Sequence, residues 1–418
     1  MPERSIAPSL LPLGDINFVT PKIFDISKYT KLFFMKDVPD ETARVDLYFD
    51  AGSIRGNVGI ASIVNGLLLS GTKVKSSVDL HSELDQLGAF HESNVGHETA
   101  VISIYSLREN MIPILKIFRE AIDDLAFLED EVEELISDRK QTFRVNMEKV
   151  NFLAQRKFQQ HLFDGSRYSR IMDEKDYDSF SVQEMKEFHR NFYLKGLAKV
   201  VVVGAFTQDE IDAIIDITGG WSREQISTYD KAIFNAKGSF HSEKKDALQT
   251  AIRVGRILFT KQHDDYIEFQ VLNTILGDYF GSRLMSNIRE DKGYTYGIGS
   301  MIAELHETGY FLIATEVKKE VTAATLTEIH KEITLLKKEL IHEEELELVK
   351  NYLLGQLLKS ADGPYSMTDL YMGLEPYGMT MDFYNRSIHK IQEITPERIR
   401  ELAQTYLNWE DMTVVTAG

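Results

Sequence analysis

The sequence predicts an α+β fold built from two homologous domains that arose by internal duplication, and three observations carry that expectation. First, distant segments repeat at one spacing. FSVQEMKEFHRNFY…KVVVVG matches ITPERIRELAQTYL…MTVVTAG, with Ser181 against Thr395 and Gly204 against Gly418, both 214 residues apart (395 − 181 and 418 − 204). FLEDEVEELISD and IHEEELELVKNY align at the same offset, Phe127 against Ile341. Second, the triplet HET stands at His97–Thr99 and again at His306–Thr308, each time ahead of an apolar strand and a long helix. Third, strands and helices do not alternate regularly within a copy. That favours a mainly antiparallel sheet with helices packed on one face over a doubly wound nucleotide fold. A repeat of about 200 residues is an ordinary domain length.

Taken in order, Lys31–Asp37 and Arg44–Ala51 read as strands, because Val45, Leu47 and Phe49 alternate with Arg44, Asp46 and Tyr48. Gly59–Gly71 reads as an apolar helix and Ser77–Leu87 as an amphipathic one closing at Gly88. Strands are expected at Phe90–Asn94 and Thr99–Tyr105, and long helices at Glu109–Ala126, Glu129–Met147 and from Val150. The copy ends on a helix, Ser181–Phe192, and the strand Lys199–Val203. Gly219-Gly220 opens a stretch without steady periodicity, which sets the expected division at 1–218, a connection over 219–245, and 246–418. The carboxylates of Glu129–Glu134 open a predicted helix, where they suit the dipole, and Glu343–Glu345 holds the same place in the second copy.

Composition narrows the function. Lys and Arg number 47 against 65 Asp and Glu, a formal charge of −18, which argues against nucleic acid or an anionic membrane as partner. There is no cysteine, so thiolate metal sites, disulfides and a cysteine nucleophile are excluded. Pro8 and Pro12 interrupt the N-terminal apolar residues and no later run reaches a membrane-spanning length, so a cytoplasmic protein is expected.

Gly281–Ser300, GSRLMSNIREDKGYTYGIGS, is the stretch best suited to chemistry. Leu284, Met285 and Ile288 give a short amphipathic helix, and Gly293 a left-handed stop. From Tyr294 the period becomes two, placing Tyr294, Tyr296 and Ile298 on one strand face and Thr295, Gly297 and Gly299 on the other. Glycines at alternate strand positions leave a bare backbone that another chain can approach. Arg289 offers a fixed fork of donors and Tyr296 a phenolic hydroxyl.

DAGSIRGNVGIASIVNGLLLSGT, Asp50 to Thr72, resembles a stretch of the pitrilysin or insulinase family of zinc peptidases, in which active members carry a pattern like G-L-A-H-L-L-E-H-M-L-F-K-G-T. Gly59, Ala61, Gly71 and Thr72 match it, but the inverted zinc motif H-x-x-E-H falls on Ser62, Asn65 and Gly66. Two imidazoles four apart on a helix grip one zinc, and the carboxylate beside the second activates water. A hydroxyl, an amide and a hydrogen do neither. The family's third ligand, a glutamate, falls near Gln141–Thr142, where there is no carboxylate. His91 and His97 would lie roughly 20 Å apart on one extended strand, too far to share an ion. His81, His161 and His189 stand alone on predicted helices.

The resemblance continues in Gly281–Ser300. Ser282, Arg283, Leu284, Arg289, Glu290, Gly293 and Tyr296 match a family pattern like S-R-L-x-x-x-L-R-E-K-x-G-L-A-Y, whose arginine and tyrosine bind substrate; Tyr294 and Thr295 depart from the usual Leu-Ala. The resemblance implies a clam-shell of two domains. It also implies a division of labour known in the family: one chain carries the zinc, and its homologous partner supplies the arginine and tyrosine. This sequence looks like the second kind. The expectation is therefore a substrate-binding subunit with no metal of its own, zinc being held by a partner chain. Arg289 and Tyr296 would act in trans on a peptide or unfolded polypeptide lying against Gly297 and Gly299. The rival expectation is a proteolytically inactive scaffold or peptide-binding member of the same family.

Overall fold

A computed structural model describes residues 13–36, 41–225 and 237–418. The region of Pro8 and Pro12, the Asp37 end of the first predicted strand and the middle of the 219–245 connection lie outside the described residues. Among those described, the strands form two sheets. The first comprises β1 (Lys22–Asp25), β2 (Lys31–Met35), β3 (Thr42–Phe49), β4 (Phe90–Val95), β5 (Ala100–Leu107) and β6 (Leu197–Val203), in the order β1-β2-β6-β3-β5-β4. The second comprises β7 (Gly238–Ser242), β8 (Gln249–Leu258), β9 (Ile298–Glu304), β10 (Gly309–Lys318) and β11 (Thr413–Ala417), in the order β7-β11-β8-β10-β9. Setting β1 aside, the two orders coincide, and the parallel pairs β2–β6 and β7–β11 correspond while the remaining pairs are antiparallel. The duplication inferred from spacing is thus a duplication of topology. Strand β7 falls inside the 219–245 segment and occupies the place that β2 holds in the first sheet.

Period-two patterning decides which face each residue serves. Val45, Leu47 and Phe49 of β3 are fully buried against the helices of their own half, among them Ile60–Leu67, Arg108–Asp123 and Val182–Phe192. Ile252 and Val254 of β8 do the same in the second half. Helix starts follow local chemistry: Ser76 with Asp79, Ser181 with Glu184 and Thr207 with Glu210 each form a reciprocal capping box.

The opposite face of each sheet is not left to solvent. The Val150–Leu162 helix, encoded in the first half, packs on β8 and β11 of the second, seating Phe158 and Leu162 against Leu312 and Val415. Gly363–Met372 returns the favour, placing Met372 beside Phe33, Val201 and Val203 of the first sheet. Burying one such large side chain stabilises by about 1.5–3 kcal/mol, so this exchange of helices fastens the halves together. Polar contacts join them too: Thr42 Oγ1 and Tyr365 Oη are 2.9 Å apart, and Glu98 of the first HET triplet accepts from the backbone N–H of His306 of the second at 3.0 Å. No described helix is long and apolar enough to cross a membrane.

Candidate functional site

The segment that carries Arg289 is a π-helix, Met285–Asp291, wider than the α-helix expected there. Leu284 and Ile288 anchor it in the core of the second half, as their spacing requires. The last turn closes through long-range backbone bonds, Lys292 N to Asn287 O at 3.0 Å and Tyr294 N to Ile288 O at 3.0 Å. Gly293, at φ +65°, makes the left-handed stop that a side chain would resist. Such π-bulges are frequent at functional sites.

Beyond Gly293 the structure departs from the alternation. The strand begins at Ile298, so Tyr294–Gly297 is a loop, and Tyr296 does not share a strand face with Ile298. The cause is Thr295. Its hydroxyl donates to the carbonyl of Glu316 (2.7 Å), lies 2.9 Å from that of Gly297, and accepts from Gly297 N–H (3.1 Å). Side-chain bonds of this kind compete with a strand ladder. The Thr315 hydroxyl adds contacts to Thr295 Oγ1 (3.0 Å) and Gly297 O (2.9 Å). The backbone of the loop is therefore pinned to β10 while its tyrosine is released: Tyr296 is 95% exposed.

Arg289 does not touch Tyr296 through a hydrogen bond or a cation–π contact. Its guanidinium lies over the ring of Phe280, 4.7 Å from the centroid, and Phe280 is itself 65% exposed. Among the described residues Arg289 has no carboxylate partner. Tyr296 therefore faces outward while Arg289 is half-buried, and among the described residues neither has a hydrogen bond or ion pair from its side chain. At Gly297 a Cβ would meet nothing within 4 Å, so the protein's own packing does not require glycine there. At Gly299 it would come 3.4 Å from Gly277 O, an ordinary contact.

Arg283, the first arginine of the pattern, serves structure. It forms a two-pronged pair with Glu345, both bonds 2.8 Å, that ties the π-helix to the Glu343–Ser360 helix. Burial opposes its charge, but Glu345 outweighs burial and raises its pKa. Glu345 thus does more than complement a helix dipole. This tether and the stacking of Phe280 on Arg289 have no signature at short sequence range.

The helix at the expected zinc positions is Ile60–Leu67. Ser62 and Gly66 lie on its exposed side, and Asn65 is buried. Both polar atoms of the Asn65 amide have partners: Nδ2 donates to Tyr193 Oη at 3.0 Å and Oδ1 accepts from Ser93 Oγ of β4 at 2.9 Å. Burial pushes the Tyr193 hydroxyl pKa up, with Asn65 partly opposing. A Cβ on Gly66 would stand 3.0 Å from Leu135 Cδ2 and 3.6 Å from an Arg139 guanidinium nitrogen. The place of the second histidine is thus bordered by a leucine and a cation. A hydroxyl, an engaged amide and a glycine beside a guanidinium do not fit a zinc ion.

The histidines lie otherwise than their spacing suggested. His81 and His91 face each other, ring centroids 6.1 Å apart, along a cleft of about 260 Å³ that also borders Asn65 and Gly66. Burial, and secondarily His81, lowers the pKa of His91. His97 instead packs edge-on against Tyr168. Among the described residues no three His, Asp or Glu side chains converge as a metal cluster would.

Comparison with known proteins agrees with this geometry. Residues 32–171 match the model described as insulinase (peptidase family M16), and residues 179–353 the model described as peptidase M16 inactive domain. An uncharacterized zinc protease of Rickettsia bellii is 24% identical over 283 residues, which is 65% of this chain and 67% of that one. In fold, the chain resembles a peptidase M16 inactive domain from Pseudomonas fluorescens, with a TM-score of 0.87 and 23% identity over 96% of this chain and 98% of the other. It also resembles a protease from Helicobacter pylori, with a TM-score of 0.84 and 17% identity over 95% and 100%. With its duplicated topology, its altered motif at Ser62, Asn65 and Gly66, and these matches in both halves, the chain belongs to the insulinase, or M16, peptidase family, among members without the zinc motif.

Proposed function

We propose that this chain is the substrate-binding subunit of a two-chain zinc peptidase, presenting Arg289 and Tyr296 to an active site whose zinc is held by a homologous partner. The observation that carries this reading is the Tyr296 loop. Its backbone is fixed by the Thr295 and Thr315 hydroxyls, while Tyr296 itself is 95% exposed and its phenol has no hydrogen bond among the described residues. A tyrosine kept for packing is normally covered, with at most its tip in water. This one is positioned and left free.

In the complex an extended peptide adds to a sheet edge through backbone hydrogen bonds, passing close to the bare backbone at Gly297 and Gly299. The Tyr296 hydroxyl donates to the scissile carbonyl oxygen as negative charge develops, and Arg289, over the ring of Phe280, grips the peptide backbone beside it. The partner's metal centre supplies the activated water. Removing one such donor typically costs about 2.7–4 kcal/mol of transition-state stabilisation. Tyr296→Phe should therefore lower turnover of the mixed complex by about 10²–10³-fold while size-exclusion chromatography shows assembly intact. Turnover unchanged by that substitution would take Tyr296 out of the mechanism and favour a scaffold role. Failure to co-purify with any chain bearing H-x-x-E-H would argue the same way.

A further inference from the structure

Arg253 on β8 and Arg44 on β3 occupy corresponding strands at the spacing of the HET triplets, 209 residues (253 − 44 and 306 − 97). Both are buried, each 6% exposed, on the sheet face that meets the other half's exchanged helix. Their partners differ. Arg44 meets two carboxylates, Asp46 at 3.1 Å and Asp369 of the Gly363–Met372 helix at 2.6 Å. Arg253 meets the amide oxygen of Asn151, from the Val150–Leu162 helix, and the Ile252 carbonyl at 2.9 Å. The Nε of each arginine lacks a hydrogen-bond acceptor, but among the described residues no carboxylate reaches ion-pair distance of Arg253. Burial lowers its pKa, with Glu316 partly opposing.

This arginine lines a cleft of about 380 Å³ together with Asn151, Gln249, Thr295, Tyr296 and Glu316. The cleft borders the start of the Val150–Leu162 helix, whose first N–H groups receive no side-chain cap. A helix N-terminus carries partial positive charge and free donors. A buried guanidinium that lines a cleft at such an end, with no carboxylate at ion-pair distance among the described residues, is suited to receive an anion. Because Tyr296 forms one wall, that anion arrives on whatever the tyrosine addresses.

We infer that the cleft is a carboxylate-binding subsite for peptide substrates. It takes either the α-carboxylate of a C-terminus or the side chain of an aspartate or glutamate. The inference rests on the reading of Tyr296 as the substrate-facing group. Glu316, on another wall, repels the same carboxylate and limits its affinity.

The test is fluorescence anisotropy on the full chain with labelled peptides of one sequence: a free C-terminal carboxylate, its carboxamide, and a carboxamide with a central aspartate. At least one carboxylate peptide should bind about tenfold tighter than the plain carboxamide, and which of the two does so distinguishes the sources. Glu316→Gln should widen that preference and Arg253→Gln should erase it. Asn151→Asp should erase it as well, by giving Arg253 the carboxylate that Asp369 gives Arg44. This last variant keeps the arginine in place, so its effect cannot be put down to misfolding. Equal binding of carboxylate and carboxamide peptides, a preference that survives both Arg253→Gln and Asn151→Asp, or no binding of any peptide would each overturn the subsite. The turnover assay on Tyr296→Phe judges the proposed function separately.

Discussion

The two halves of the chain share a strand order yet leave their polar groups in different states. Two groups of the first half are paired within the chain: Arg44 meets the carboxylates of Asp46 and Asp369, and the Asn65 amide meets Ser93 and Tyr193. Three of the second half are not: among the described residues Arg253 has no carboxylate at ion-pair distance, Arg289 rests on an exposed ring, and Tyr296 projects into solvent. Duplication constrains the residues that face a half's own helices, because volume and periodicity must be kept there. Residues on the other faces are free to diverge, as Arg44 and Arg253 have in their partners.

The sharpest way to break the comparison is to remove each arginine in turn. Arg44→Met leaves Asp46 buried without its partner, at 4% exposure. Burial already raises the pKa of that carboxyl, with Arg44 the chief opposing influence. Breaking such a pair from one side should destabilise by about 3–5 kcal/mol. Arg253→Met removes a charge with no counter-ion and should cost far less. Urea denaturation of the two variants reads the difference, and equal losses would mean that the pairing of Arg44 is incidental.

A smaller asymmetry separates His189 from Ala403, its counterpart at the 214-residue offset (403 − 189). His189 is buried between Phe127 and Tyr193. Burial depresses its pKa to about 4, while the Ile122 backbone and Asp123 partly oppose the shift. In the unfolded chain the imidazole protonates near its ordinary 6.5. Below that pH the unfolded state binds a proton that the folded state refuses. The contribution is therefore fully present above pH 6.5 and is lost as pH falls toward 4. The loss amounts to roughly 3 kcal/mol at most. His189→Ala copies the second half and should flatten this part of the stability profile, whatever it does to stability at neutral pH. An unchanged slope would place the acid sensitivity elsewhere.

How much of this was legible in the sequence depended on range. The repeat, the β3 alternation and the loss of the zinc motif are local patterns, and each reappears in the structure. The Arg289–Tyr296 spacing was equally local, but the loop that frees Tyr296 was not. Tyr294, Tyr296 and Ile298 alternate as a strand would, and only the bonds from Thr295 to Glu316 and Gly297 override them. Nor does an amphipathic helix state which sheet it covers, so the crossing of Val150–Leu162 to the second half, and with it the contrast between Asn151 and Asp369, was out of reach. Strand β7 was hidden for a related reason: with its sequence GSFHS it has no hydrophobic run and borrows its order from β11.

The smallest expected effect concerns the feature the halves hold most nearly in common. Each ties its central helix to the edge strand through a serine. Ser93 Oγ of β4 donates to the Asn65 side chain at 2.9 Å, and Ser300 Oγ of β9 to the Asn273 backbone carbonyl at 3.2 Å. Only the first link depends on the side chain at the altered zinc position. Asn65→Leu keeps the bulk but strands the Ser93 and Tyr193 hydroxyls, and should cost about 1–3 kcal/mol. Adding Tyr193→Phe should cost less in that background than in the native chain, since one orphaned group is then removed. Strict additivity would mean that Asn65 and Tyr193 are not coupled, and the amide would then be a remnant of the lost motif. Coupling would show instead that the residue standing where a catalytic glutamate is expected now ties its helix to Tyr193 at the end of the Val182–Phe192 helix.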